Sequence, residues 1–183
     1  MEPVRALAMV AHPDDCVIFA RPFIESHSQF DWSIMYMTYC PWEPRAEEMT
    51  TYWSKRNIPT TFLGFNDDWE YVKNGELGFS KEQALREIGN ITQEYDLILT
   101  HHEDGDYGHI HHKLVNQATQ QNTVPKVYFA STFNYNAEYF AREPLDLTEL
   151  PLHAEVIAGF QDRDHGRYIL TPQAERLINE RHI

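Results

Sequence analysis

Short apolar runs alternate with amphipathic stretches of helical spacing along most of the chain. RALAMVA (5–11) ends at Pro13 and two aspartates, as a buried strand closed by a turn would. SIMYMTY (33–39), TTFLGF (60–65), YDLILTH (95–101) and KVYFAST (126–132) repeat the type, so five strands are expected. Between them, Val17 to Glu25 predicts a helix that Pro22 shortens or kinks. EPRAEEMTTYWSKRN (43–57) predicts another, with Pro44 near its start and acidic residues in its first turns. A polar loop over 66–79 leads to Ser80, which with Gln83 forms a capping-box pattern and opens a helix over 81–94. Further helices are expected from His109 to Gln120 and, in the tail, near 152–160 and 172–181. This alternation predicts an α/β protein: a Rossmann-like open, mostly parallel sheet of about five strands, with helices on both faces. No repeat, low-complexity tract or linker is visible, and 183 residues suit one domain over 1–183.

In sheets of this kind ligands bind outside the carboxyl ends of the strands. His12-Pro13-Asp14-Asp15 follows the first strand, Asn66-Asp67-Asp68 the third, and a histidine-rich loop the fourth, so three polar segments converge on one edge. A histidine and a carboxylate just after a strand can reach one metal ion. Adjacent aspartates cannot easily share a target, which leaves the other free to face a water. Catalytic zinc sites commonly take three protein ligands from His and Asp/Glu and keep one position open. The third ligand is expected from Tyr107-Gly108-His109-Ile110-His111-His112. His109 and His112, three apart at a helix start, share a face; one could ligate while the other sits beside a substrate carbonyl, and His111 points elsewhere. Gly105 and Gly108 let the backbone turn sharply there.

Composition narrows the chemistry. With 15 basic and 28 acidic side chains the formal charge is −13, which argues against nucleic acid or anionic membrane as a partner. No phosphate-cradling glycine motif follows the first strand, which disfavours a nucleotide role. Cys16 and Cys40 form no CxxC pair and read as free thiols. No segment approaches the roughly 18 to 20 apolar residues of a membrane span, and the N-terminus reads as a strand rather than a signal peptide, so a cytoplasmic location is expected. Trp42, Trp53, Trp69 and the Tyr/Phe run over 128–140 are candidate sugar-stacking platforms or packing residues.

AHPDD (11–15), then Thr100-His101 and Gly108-His109-x-x-His112, resemble the motifs of the LmbE-like or PIG-L family of N-acetylglucosamine deacetylases. PRAEE (44–48) resembles the family's Arg-x-x-Glu helix and LGFND (63–67) its LGxxD segment, so the resemblance spans roughly 5–115. It implies His12, Asp15 and His112 as zinc ligands, with another divalent metal possible in their place, and Asp14 as the general base. It also implies His109 and Tyr107 as stabilisers of the tetrahedral intermediate, and Arg45 and Asp67 as contacts to the sugar hydroxyls. The expected reaction is hydrolysis of the acetamide of a small-molecule amino sugar. One position departs from the pattern: the family reads AHPDDE, and Cys16 replaces the glutamate. An oxidation-sensitive thiol or an altered site would follow if Cys16 lay at the metal. The last third, including FNYNAEYF and AGFQDRDHGRY, carries no match. That leaves two alternatives: a zinc amidase on another N-acyl or thiol-conjugate substrate, and a non-catalytic metal- or sugar-binding module.

Overall fold

In a computed structural model, which describes residues 1–130, 137–141, 143–160 and 166–181, the strand β1 (Arg5–Val10) lies at the centre of the sheet. Its alternate side chains enter two different apolar cores. Ala6, Ala8 and Val10 pack with Ile18, Phe23, Trp32 and Ile178, while Leu7 and Met9 pack with Ile88, Leu114 and Val115 on the other face. A strand covered on both faces must be apolar at every buried position, which is why 6–11 shows no alternation.

The other strands are β2 (Asp31–Thr38), β3 (Thr60–Phe65), β4 (Leu97–Thr100), β5 (Lys126–Phe129), β6 (Glu138–Tyr139) and β7 (Arg167–Leu170). They form one mixed sheet in the order β3-β2-β1-β4-β5-β7-β6. The pairs among β1 to β5 are parallel; β7 runs antiparallel to both β5 and β6. Among the described residues the sheet thus has seven strands instead of the expected five or so. The two additions escape a periodicity argument because β6 is only two residues long, both exposed, and β7 only four.

A π-helical turn (Cys16–Ala20) runs directly into α1 (Arg21–Ser26). Pro22 is the second residue of α1, just past the π-helical turn, and with no N–H it cannot donate to a carbonyl of that turn. The remaining helices are α2 (Pro44–Ser54), α3 (Trp69–Val72), α4 (Lys81–Thr92), α5 (Ile110–Thr119), α6 (Ala154–Ala158) and α7 (Pro172–Arg181). The Ser80 hydroxyl accepts from the Gln83 amide at 3.2 Å, as the capping pattern predicts. One turn of helix, α3, interrupts the expected loop over 66–79, started by the Asp68 carboxylate accepting from the Glu70 amide. Among the described residues no helix is long and apolar enough to cross a membrane.

Of the aromatic candidates, Trp53 is buried in the core, whereas Trp42 and Trp69 are exposed. Phe133 and Tyr135 of the 128–140 run lie outside the described residues, as do 133–136 of FNYNAEYF and 161–165 of AGFQDRDHGRY.

The path of the chain explains where a site forms. It steps outward from β1 to β2 and β3, then crosses back to place β4 on the other side of β1. The carboxyl ends of β1 and β4 therefore diverge at a switch point, where a crevice opens.

Candidate functional site

Two threonines hold the end of β1 at that crevice. Thr100 Oγ1 donates to the Met9 carbonyl and Thr38 Oγ1 to the Ala11 carbonyl, both at 2.8 Å. The chain then folds back on itself: the Asp15 amide donates to the His12 carbonyl at 3.2 Å, and the His12 amide to Asp15 Oδ2 at 2.8 Å. Asp15 precedes a helical turn but its carboxylate caps none of that turn's amides. It is aimed instead at two histidines.

Three donor atoms meet there. His12 Nδ1, Asp15 Oδ2 and His112 Nε2 are each 3.2 Å from the other two. All three residues are buried. Bonds of 2.0–2.2 Å in a tetrahedral zinc site put neighbouring donors about 3.3–3.5 Å apart, so this triangle has the dimensions of one face of such a site.

Three other groups of donors lie within 4.8 Å of one another: His12–His109–His112, His12–Asp67–His111 and Asp15–His101–His112. Hydrogen bonding selects among them. His109 is the N-cap of α5, and its Nδ1 accepts from the His111 amide at 3.1 Å, so a neutral ring carries its proton on Nε2 and offers no lone pair. His101 Nε2 accepts from the Ala11 amide at 3.0 Å. His112, by contrast, gives its Nδ1 proton to Asp106 Oδ2 at 2.8 Å, which leaves Nε2 bare toward the triangle.

Asp106 is the organising carboxylate. Its Oδ2 also takes the Nδ1 proton of His101, at 2.5 Å, and the rings of His101 and His112 stack with centroids 3.9 Å apart. Burial opposes its ionisation, but the charge of His101 and the hydrogen bonds from both rings prevail and hold it at about 2. Two demands compete on His101. Burial lowers its pKa, but Asp106 and Asp15 outweigh this and push it up to about 9, whereas the Ala11 amide requires Nε2 bare. A neutral Nδ1–H ring serves Asp106 and the Ala11 amide, whereas a proton on Nε2 would serve the Asp15 carboxylate 3.5 Å away, so the two neighbours of Nε2 compete. Asp15 is buried too, and the charges of His112 and His12 hold it well below the usual carboxylate range. Burial and the neighbouring His12 and His112 lower His109 to about 3, keeping it a neutral donor.

The expected site residues gather around this triangle. The His109 ring lies 4.6 Å from His12, and Tyr107, half exposed, lies 5.2 Å from His112 (ring centroids). Burial, followed by the charges of Asp15 and Asp14, raises the Tyr107 hydroxyl, which stays protonated. Asp67 Oδ1 is 3.6 Å from His12 Nε2. Burial and then the charge of Asp15 raise the Asp14 carboxyl, against the charge of His12 and a hydrogen bond from its own backbone. Arg45 reaches the site through Tyr39, a residue with φ +69 whose hydroxyl faces the Arg45 guanidinium, with Asp67 and Asp14 close by. A bulky residue in the left-handed region is held there by its surroundings.

His111 does not point elsewhere. It is fully buried and its Nδ1 lies 3.0 Å from His12 Nε2. The N-cap at His109 sets the phase of α5 so that 109, 111 and 112 all border the crevice, which simple helical spacing excludes for adjacent positions. Asp106, His101 and Tyr39 also escape a reading of spacing. The signals were Gly105 (φ +74), where an added Cβ would lie 2.8 Å from the His109 carbonyl, and the Thr-His pair ending β4. Nothing along the chain separates Asp106 from Glu103 or Asp104 beside it.

Cys16 belongs to none of the donor groups. Its sulfur contacts the Pro13 carbonyl and Trp53 Nε1 at 3.0 Å and the Tyr36 hydroxyl at 2.8 Å, and burial pushes the thiol up to about 12. It is a packed, protonated thiol away from the donor triangle, not an oxidation-prone group within it. Titration of the native protein with a thiol reagent should therefore modify Cys40, which is partly exposed, and reach Cys16 only after denaturation. Cys16→Glu should destabilise the fold by roughly 3 kcal/mol or more, because a larger charged group would enter a filled, fully buried space. An unchanged urea midpoint would contradict that packing.

Solved structures share the fold of this chain. Among solved structures, the chain is similar to a deacetylase of the teicoplanin biosynthesis pathway, solved as a deacetylase–bog complex (TM-score 0.54, 12% identity, covering 85% of this chain and 83% of that one). It is also similar to Dbv21, the A40926 pseudoaglycone deacetylase (TM-score 0.53, 15% identity, 87% and 82%). A third is GalB, the 4-carboxy-2-hydroxymuconate hydratase of Pseudomonas putida KT2440 (TM-score 0.55, 14% identity, 87% and 79%). At these identities the likeness is one of fold, and the fold alone does not choose between the reactions. No curated protein matches the sequence. The sequence model described as PIG-L, GlcNAc-PI de-N-acetylase, matches residues 7–123, a stretch that includes every residue of the donor triangle and its surround. The chain belongs to the PIG-L family of GlcNAc-PI de-N-acetylases.

Proposed function

We propose that this chain is a zinc-dependent N-deacetylase that releases acetate from an N-acetylated amino sugar of the GlcNAc type, with residues 1–183 acting as one domain. The observation that carries the reading is the equilateral set of His12 Nδ1, Asp15 Oδ2 and His112 Nε2, all 3.2 Å apart, at the carboxyl edge of β1 in a PIG-L chain. A zinc ion held there would lower the pKa of water toward about 7 and polarise the acetamide carbonyl.

The chain's own residues supply the rest. Asp14, raised by burial, takes a proton from the attacking water and passes it to the leaving nitrogen. His109, neutral with its proton on Nε2, and the Tyr107 hydroxyl donate to the developing oxyanion. Asp67 and the Tyr39–Arg45 pair line the rim, where sugar hydroxyls would be recognised. Cys16, turned into the core, leaves this machinery intact and gives no support to a non-catalytic module.

The test is metal content together with acetate release. The purified protein should carry about one zinc per chain. It should release acetate from N-acetylglucosamine derivatives, lose that activity to a chelator, and regain it with zinc. Zinc without acetate release from amino sugars, but with release from another N-acyl compound, would replace the substrate class. Acetate release that a chelator leaves untouched would overturn the metal dependence.

A further inference from the structure

We infer that His111 is a positioning residue that fixes His12 in the tautomer able to receive a metal. The inference rests on the metal-centre reading above and concerns a side chain that this reading does not use.

The argument is one of proton bookkeeping along a line of three groups. The Leu77 carbonyl can only accept, and it lies 3.4 Å from His111 Nε2, so that nitrogen carries the His111 proton. A neutral imidazole has a single N–H, which leaves His111 Nδ1 bare. That atom is 3.0 Å from His12 Nε2, so His12 must be the donor between them and must carry its proton on Nε2. His12 Nδ1 is then bare, and it is the atom that faces Asp15 Oδ2 and His112 Nε2 at 3.2 Å. Asp67 Oδ1, 3.6 Å from His12 Nε2, is a more distant acceptor than His111 Nδ1 at 3.0 Å and would favour the same tautomer.

The opposite tautomer has a definite attraction. With its proton on Nδ1, His12 would donate to Asp15 Oδ2 across 3.2 Å and close the donor triangle with an internal hydrogen bond. A metal would have to displace that proton before binding. By offering an acceptor on the far side of the ring, His111 tips the balance toward the open form. Its position is secured independently of His12: it is fully buried on α5, and its ring packs against Phe79 with centroids 5.3 Å apart.

Two substitutions separate the acceptor from the packing. His111→Phe keeps a ring against Phe79 and removes the acceptor. His111→Asn restores an acceptor oxygen near the Nδ1 position in a smaller side chain. Zinc affinity, measured by competition with a chromophoric chelator, should fall roughly 10- to 100-fold in His111→Phe, the usual effect of losing the partner of a ligating histidine, and recover substantially in His111→Asn. In the metal-free protein, long-range ¹H–¹⁵N spectra of ¹⁵N-histidine should show His12 protonated on Nε2 in the wild type and redistributed toward Nδ1 in His111→Phe. Circular dichroism of the metal-free variants confirms that the comparison is between folded proteins. If the wild type takes up zinc and folded His111→Phe binds it equally tightly, this inference fails and the metal centre stands. If the wild type takes up no zinc, the metal-centre reading itself has failed.

Discussion

Asp14→Asn is expected to lower turnover by roughly 10²- to 10⁴-fold while the protein keeps its metal, the range a positioned general base contributes. The amide matches the carboxylate in shape but cannot take a proton from water. Little else should change, because the turn that shapes the site uses Asp14 through its backbone: its carbonyl accepts from the Val17 and Ile18 amides at 3.1 and 3.0 Å. Replacing a buried carboxylate whose neighbour Asp15 is also negative removes a repulsion, so stability should hold or rise slightly. Steady-state acetate release and metal analysis on the same preparation give the answer. Full activity with full metal would remove Asp14 as the base, and loss of metal would instead make it part of the binding set.

His112→Ala is expected to abolish metal retention altogether. It removes one corner of the donor triangle, and two matched atoms in place of three leave an open site that a chelator strips readily. The cost spreads beyond the metal. Asp106 loses the 2.8 Å hydrogen bond from His112 Nδ1, and His101 loses the ring stacked against it. Orphaning part of a buried carboxylate's hydrogen bonding costs about 1–3 kcal/mol, so the metal-free variant should also melt earlier than the metal-free wild type. Metal analysis after dialysis against chelator, with a thermal melt, measures both effects. Retention of a full equivalent of zinc would show that the ligand set lies elsewhere among the neighbouring histidines, of which His109 would be the first to mutate.

These predictions draw unequally on sequence and structure. His12, the Asp14–Asp15 pair and the His109–His112 pair could be placed near one another from the chain alone because they follow an apolar run that had to be a buried strand, or open a helix with a clear start; the family resemblance picked Asp15 and His112 from those pairs. Once β1 and β4 are parallel and adjacent, their carboxyl ends are neighbours whatever the details of packing. Position within a motif translates directly into position in space for residues one or two steps from a strand end. The same reasoning does not extend to the last third. There β6 and β7 are two and four residues long, and their pairing, antiparallel where the rest of the sheet is parallel, depends on partners that are distant along the chain.

By itself, the order of residues determined the alternation of strands and helices, the edge of the sheet where chemistry gathers, and the family, because these depend on periodicity and on short motifs. The tertiary structure decided which atoms meet. Asp106 became the partner of two histidines, His111 turned inward against His12, and Cys16 turned away into a pocket of Tyr36 and Trp53. Each of these rests on a backbone feature that local sequence signals only weakly: a left-handed turn at Gly105 and Asp106, the N-cap that phases α5, and a π-helical turn after Asp15. A rotation of a few tens of degrees at any of them carries a side chain from solvent into the crevice, and only long-range packing supplies the energy that selects one rotation.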